Sequence, residues 1–135
     1  MQFLTKSHAS STGGTSTSTK SQGDAAEERA LQHLQQQGLT LLQRNYRTPG
    51  RGGGEIDLVM RERDGTLVFV EVRERASAAH GGAAASVSLP KQRRIVLAAR
   101  HYLLRHATAP PPCRFDVLAL DQDGIRWIKA AFDAQ

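Results

Sequence analysis

Cysteine is almost missing from this sequence: Cys113 stands alone among 135 residues. It cannot close an intrachain disulfide, and there is no Cys-x-x-Cys pair or Cys/His cluster for zinc. One thiol fits a reducing cytoplasm. No apolar run approaches the roughly 18 residues of a membrane helix, so no membrane partner is expected. The first residues also lack the apolar core of a signal peptide. Serine-triad, P-loop and dinucleotide signatures are absent, and Gly52-Gly53-Gly54 has no GK[ST] sequel. Lysine is scarce, with 4 residues against 14 arginines. Arginine suits phosphate through its planar fork of donors, although GC-rich codon usage would yield the same ratio.

What is present bounds one domain. Hydrophobic residues make up 39%, enough for a single modest core, and the formal net charge of +5 favours polyanionic partners, nucleic acid foremost. Residues 1–22 are dominated by Ser, Thr and Gly and read as a disordered tail. A domain is expected over 23–135. Asp24 is placed to cap a helix running to about Gln37, which Gly38 stops. Thr40–Arg47 reads as a strand, followed by the basic, glycine-rich loop 49–54. Period-two alternation marks strands around Glu55–Met60 and Val68–Arg73, with a turn at Asp64-Gly65. The Ala/Gly/Ser-rich stretch 74–89 reads as a flexible loop. Ser88 and Pro90 then start a helix over Lys91–His106. Arg114–Leu120 and Ile125–Ala131 form a second hairpin around Asp123-Gly124. The order α-β-β-β-α-β-β argues for an α/β fold, a mixed sheet flanked by helices.

Three carboxylates invite a chemical reading. Glu27 shares a helical stripe with Ala30, Leu31 and Leu34, and a buried carboxylate is costly unless paired or metal-bound. Asp24-Ala25-Ala26-Glu27 equally fits a capping box, so the stripe alone does not decide. Asp57 and Glu71 lie on the two strands of one hairpin. A two-residue Asp-Gly turn sends them to opposite faces. A three-residue loop with Gly65 in the left-handed conformation puts them on one face, together with Arg73, and that loop is expected. Each could equally be a solvated residue on a polar sheet face. Grouped carboxylates repel and call for a cation. Their hard oxygens suit Mg²⁺ or Mn²⁺, which can polarise a phosphoryl oxygen, while Arg73 could offset developing charge.

The pattern Gly23-x-x-Ala26-Glu27-x-x-Ala30-x-x-His33-Leu34, Gly38 and Arg44-Asn45-Tyr46-Arg47 resembles the start of the YraN-like family of small bacterial proteins. Gly54-Glu55-Ile56-Asp57-Leu58-Val59 and Val68-Phe69-Val70-Glu71-Val72-Arg73 resemble its centre. Lys91-x-x-Arg94-Ile95, Ala98, Tyr102-Leu103 and Arg114-Phe115-Asp116-Val117 continue the likeness to about Ala131. That family is similar to archaeal Holliday junction resolvases within the PD-(D/E)xK superfamily. The resemblance implies a restriction endonuclease-like fold and a metal-dependent endonuclease acting on DNA, branched DNA included. It implies Asp57 and Glu71 as metal ligands and Glu27 as the helix carboxylate of the resolvase branch. Two positions depart: Arg73 replaces the superfamily lysine, and His33 stands where an aromatic is usual. Arginine effectively cannot lose its proton, so Arg73 can neutralise charge but cannot serve as a general base. Lys91, following the loop, could reach the site instead. A nucleic-acid-binding module that keeps the scaffold without the chemistry is the competing expectation.

The second helix carries Lys91, Arg93, Arg94, Arg100 and Arg105 and no acid. With Arg47 and Arg51 it offers a phosphate-binding surface of the salt-sensitive, sequence-independent kind, or simply a solvated face. Leu97 and Leu104 on the Arg93/Arg100 side suggest a further contact such as a homodimer interface. His101 and His106 are expected at the surface, and Trp127 in packing.

Overall fold

The computed structural model describes residues 19–74 and 87–134, with side chains from Gly23 onward. Helix α1 (Thr19–Gln36) precedes strands β1 (Thr40–Arg47), β2 (Glu55–Arg61) and β3 (Leu67–Glu74). Helix α2 (Leu89–His106) leads to β4 (Cys113–Asp121) and β5 (Gly124–Phe132). The α/β layout and the element order are those expected. No described helix is long and apolar enough to cross a membrane.

The five strands lie in sequential order, β1-β2-β3-β4-β5. All neighbours are antiparallel except β3 and β4, which run parallel. A parallel step needs a crossover, and α2 lies within it. Because a helix covers each face, the middle of the sheet is buried on both sides, and Leu67 through Glu71 are all buried. Ala26, Ala30, Leu31 and Leu34 of α1 pack on Leu58, Met60, Val68, Val70, Leu118 and Leu120. On the opposite face Ile95, Val96, Ala98, Ala99 and Tyr102 of α2 pack on Tyr46, Ile56, Val59, Phe69, Phe115 and Val117.

The β2–β3 connection settles the parity question. Leu58 pairs with Val70 and Arg61 with Leu67. Glu62 N donates to Thr66 O, leaving a three-residue loop, Arg63-Asp64-Gly65. Gly65 has φ +94°, the left-handed value that glycine adopts without Cβ strain. The odd loop makes positions 57 and 71 direct opposites.

Three expectations are corrected. Helix α1 begins at Thr19, so residues 19–22 are helical rather than tail, and Asp24 is interior. A capping box needs its first residue outside the helix, so Asp24 and Glu27 form none. The buried stripe of α1 runs through Ala26, with Glu27 half-buried at its edge. His101 is half-buried, its Nδ1 hydrogen-bonded to the Tyr46 hydroxyl, while His106 is exposed as expected and stacks on Tyr102 at 4.4 Å. The rest of the expected tail, 1–18, and most of the expected loop, 75–86, lie outside the described residues.

Candidate active site

The ladder between β2 and β3 stops at Leu58–Val70. Yet β2 stays paired to β1 as far as Glu55, and β3 stays paired to β4 as far as Glu74. The two strands therefore fork beyond Leu58, and a fork leaves backbone groups without partners. Asp57 fills the gap: its Oδ2 accepts from Val72 N at 2.8 Å. The carboxylate is thus built into the sheet, opposite Glu71.

Glu71 is buried, with its residue 6% exposed. Burial first, and then the charge of Asp57, push its pKa up to about 7. Burial also raises Asp57, while the Val72 amide and the Lys91 ammonium pull it back. A buried and a half-buried acid facing each other resist ionising together. Glu27 approaches from α1. Burial, followed by the charge of Asp57, lifts it to about 7, against the pull of Arg44 and Asn45. Its Oε1 is buried and meets no hydrogen-bond donor among the described residues. Such an orphaned oxygen costs stability in the metal-free chain.

The other half of the site comes from α2. Ser88 caps the helix, its Oγ accepting from Lys91 N at 3.3 Å, and Pro90 stands in the first turn. Lys91 thereby sits at the helix start, and its Nζ lies 3.6 Å from Glu71 Oε2. Gly54 sets the distance between α2 and β2. A Cβ there would lie 1.9 Å from Arg94 O and 3.0 Å from Ala98 N. Only glycine allows this approach, one step before the strand that carries Asp57.

The expected residues therefore divide. Asp57, Glu71 and Lys91 converge, with Glu27 close enough to feel Asp57. Arg73, two residues beyond Glu71, is half-buried and acts on Glu71 only as a weak, more distant charge. Arg93 and Arg100 are elsewhere, flanking a groove of about 380 Å³ on the outer side of α2 with Leu89, Val96 and Leu97. Arg94 is exposed, with its carbonyl against Gly54. Arg51 is exposed in the β1–β2 loop, and Arg47 pairs loosely with Glu55 at 3.4 Å. Leu97 and Leu104 are exposed.

Among the described residues, no three His, Cys, Asp or Glu side chains are grouped so as to hold one ion. Mg²⁺ does not need three: it commonly takes one or two carboxylates and keeps several waters. Asp57 and Glu71 fit that demand, while Glu27, expected as a third ligand, is not grouped with them.

One buried acid escaped the reading of the sequence. Asp116 on β4 is fully buried. It accepts from Arg114 Nε at 2.9 and 3.1 Å, from Trp127 Nε1 at 2.9 Å and from Ala130 N at 2.9 Å. Arg114 Nη2 lies 2.7 Å from Glu62 Oε2, an ion pair without hydrogen-bond alignment. The β4–β5 register slips between Phe115 and Val117, and Ala130 has φ +52°. Asp116 thus closes the backbone of a bulge. The strand pattern held no signal for this beyond an acid in an otherwise apolar run.

Residues 26–120 match the profile of "Uncharacterised protein family UPF0102". The chain is 71% identical over 116 residues to a "UPF0102 protein" of Albidiferax ferrireducens, covering 86% of this chain and 90% of that one. A "UPF0102 protein" of Paracidovorax citrulli is 67% identical over 118 residues, 87% of each chain. One from an Acidovorax species is 63% identical over 116 residues, 86% of this chain and 87% of the relative.

Proposed function

The chain belongs to the uncharacterised protein family UPF0102, and we propose that it is a metal-dependent endonuclease acting on DNA, with branched DNA as the substrate to try first. The observation that carries this reading is the Asp57–Glu71 pair at the β2–β3 fork, a half-buried and a buried acid both raised by desolvation, with the Lys91 ammonium 3.6 Å from Glu71. Perturbed acids that face each other are arranged at a cost in stability, and functional sites are where such costs are met. The proposed relation to Holliday junction resolvases in the PD-(D/E)xK superfamily rests on the Gly54–Val59 and Val68–Arg73 motifs at their spacing.

In this reading Asp57 and Glu71 hold Mg²⁺ or Mn²⁺. Bound there, the ion would polarise a phosphoryl oxygen and acidify a water for attack on phosphorus. The chain's own contribution is placement. The Val72 amide fixes the Asp57 carboxylate, burial keeps competing water from Glu71, and Lys91 brings positive charge to the side where a phosphate would bind. Arg47, Arg51 and Arg94 lie on exposed ground for phosphates further along the duplex.

The test is cleavage of a panel of linear, flapped and four-way DNA in Mg²⁺ or Mn²⁺. Asp57→Ala should abolish it, and a purified protein that cuts nothing, or an Asp57→Ala protein that cuts equally well, removes the catalytic claim. The second reading, a binding module on a nuclease scaffold, is favoured by Arg73 standing where the superfamily has lysine. It predicts salt-sensitive DNA binding that survives Asp57→Ala, and binding indifferent to salt counts against it.

A further inference from the structure

We infer that Lys91, delivered by the start of α2, is the working cation of the Asp57–Glu71 site in place of Arg73, and that it holds Glu71 only until a divalent ion replaces it. This rests on the proposed metal-dependent reading of the pair. Three observations carry it. First, Lys91 Nζ is 3.6 Å from Glu71 Oε2, and the lysine side chain is only 33% exposed. An exposed helix-surface lysine would extend into water; this one turns toward a buried acid.

Second, Lys91 breaks a local rule. It sits in the first turn of α2, at the positive end of the helix dipole, and that turn has no acidic residue. A cation there is repelled by its own helix unless something outside compensates. Glu71 and Asp57, from the sheet, are that compensation, and both feel the Lys91 charge. Third, the packing holds the start of α2 close to the sheet. Ser88 and Pro90 fix where α2 begins, and Gly54 lets the helix seat against β2 with no room for a Cβ.

Glu71 Oε2 is then claimed by two cations, the ammonium and the metal. With an ion held by Asp57 and Glu71, the lysine would be released from Glu71 on its flexible stem and could pair with a phosphate at the site. Arg73, on β3, makes no ion pair with Glu71.

The experiment uses the full chain and the variants Lys91→Met, Lys91→Arg and Arg73→Met, with thermal melts to confirm folding. Mn²⁺ alone is titrated by calorimetry. Lys91→Met should bind Mn²⁺ about tenfold more tightly, because one competing charge is gone. Arg73→Met should shift the affinity by less than about threefold. At saturating Mn²⁺, Lys91→Met should cut DNA at least roughly a hundredfold more slowly, with Lys91→Arg between it and the parent. Lys91→Met with parental or weaker Mn²⁺ affinity overturns the exchange, as does a larger response in Arg73→Met. A parent that takes up Mn²⁺ but cuts nothing ends the endonuclease reading alone, since the titration still decides Lys91. A chain that takes up no Mn²⁺ in any form overturns both.

Discussion

Two buried acidic sites share one sheet and have opposite fates. Asp116 is fully satisfied: a guanidinium, an indole N–H and a backbone N–H converge on its two oxygens. Glu71 on the neighbouring strand and Asp57 on the one beyond it have one backbone amide and one ammonium between them, with an orphaned Glu27 oxygen on α1. A carboxylate whose lone pairs are all used stabilises a bulge and has nothing left for a ligand. A pair left short of partners costs stability until something arrives to complete it. Burial of an acid is therefore no sign of function by itself; the unfilled hydrogen-bonding capacity is.

The largest expected effect breaks the comparison from the open side. Asp57→Ala should lower cleavage by roughly a thousandfold, about 4 kcal/mol of transition-state stabilisation. Its melting temperature in EDTA should fall only slightly, because the Val72 amide loses its acceptor while the raised Glu71 loses a repelling neighbour. A Tm that collapses together with activity would make Asp57 structural, like Asp116. From the closed side, Asp116→Ala should cost about 3 kcal/mol of stability by leaving Trp127 Nε1 and Ala130 N without an acceptor and Arg114 with Glu62 alone. Denaturant titration followed by Trp127 fluorescence checks this, and added Mg²⁺ should not recover the loss.

Gly54→Ala should separate the two sites next. Its Cβ would collide with Arg94 O, so α2 must move away from β2, at about 2 kcal/mol. Lys91 moves with the helix and cleavage should fall, while Trp127 emission, reporting Asp116 on the α1 side, should stay. A smaller effect concerns pH. Glu71 is raised from 4.5 to about 7 in the folded chain, so the folded state binds more protons than the unfolded one between those values. Stability of the metal-free protein should then fall as pH rises from about 4.5 to 7, by on the order of 2 kcal/mol. Glu71→Gln should reduce that slope, leaving the part that Glu27, raised over the same range, contributes, and Mg²⁺ should oppose it; an unchanged slope in the variant would place the titration elsewhere. The smallest effect is at the outer groove. Arg93→Ala with Arg100→Ala should weaken DNA binding several-fold and make the salt slope shallower by about 0.9 for each phosphate no longer neutralised. An unaltered slope would free that face for another role.

Much of this was legible along the chain. The element order followed from periodicity and turn residues, and Gly65 told the loop length that sets Asp57 opposite Glu71. The capping box at Asp24 failed because a capping motif reads only four residues, whereas α1 continues upstream from Thr19. The role of Asp116 was hidden because its partners, Trp127 and Ala130, come from the next strand across a register slip. The partner of His101 was hidden for the same reason, since Tyr46 lies 55 residues away, whereas His106 is at the surface as expected.

Side-chain alternation and turn geometry act over a few residues, so the sequence by itself determined the strands, the helices and the facing of two acids across one hairpin. Where the hairpin forks, how closely α2 seats on Gly54, and which cation reaches Glu71 depend on elements far apart in the chain. Those were decided only when the crossover helix packed onto the sheet, because close packing, unlike periodicity, has no local signature.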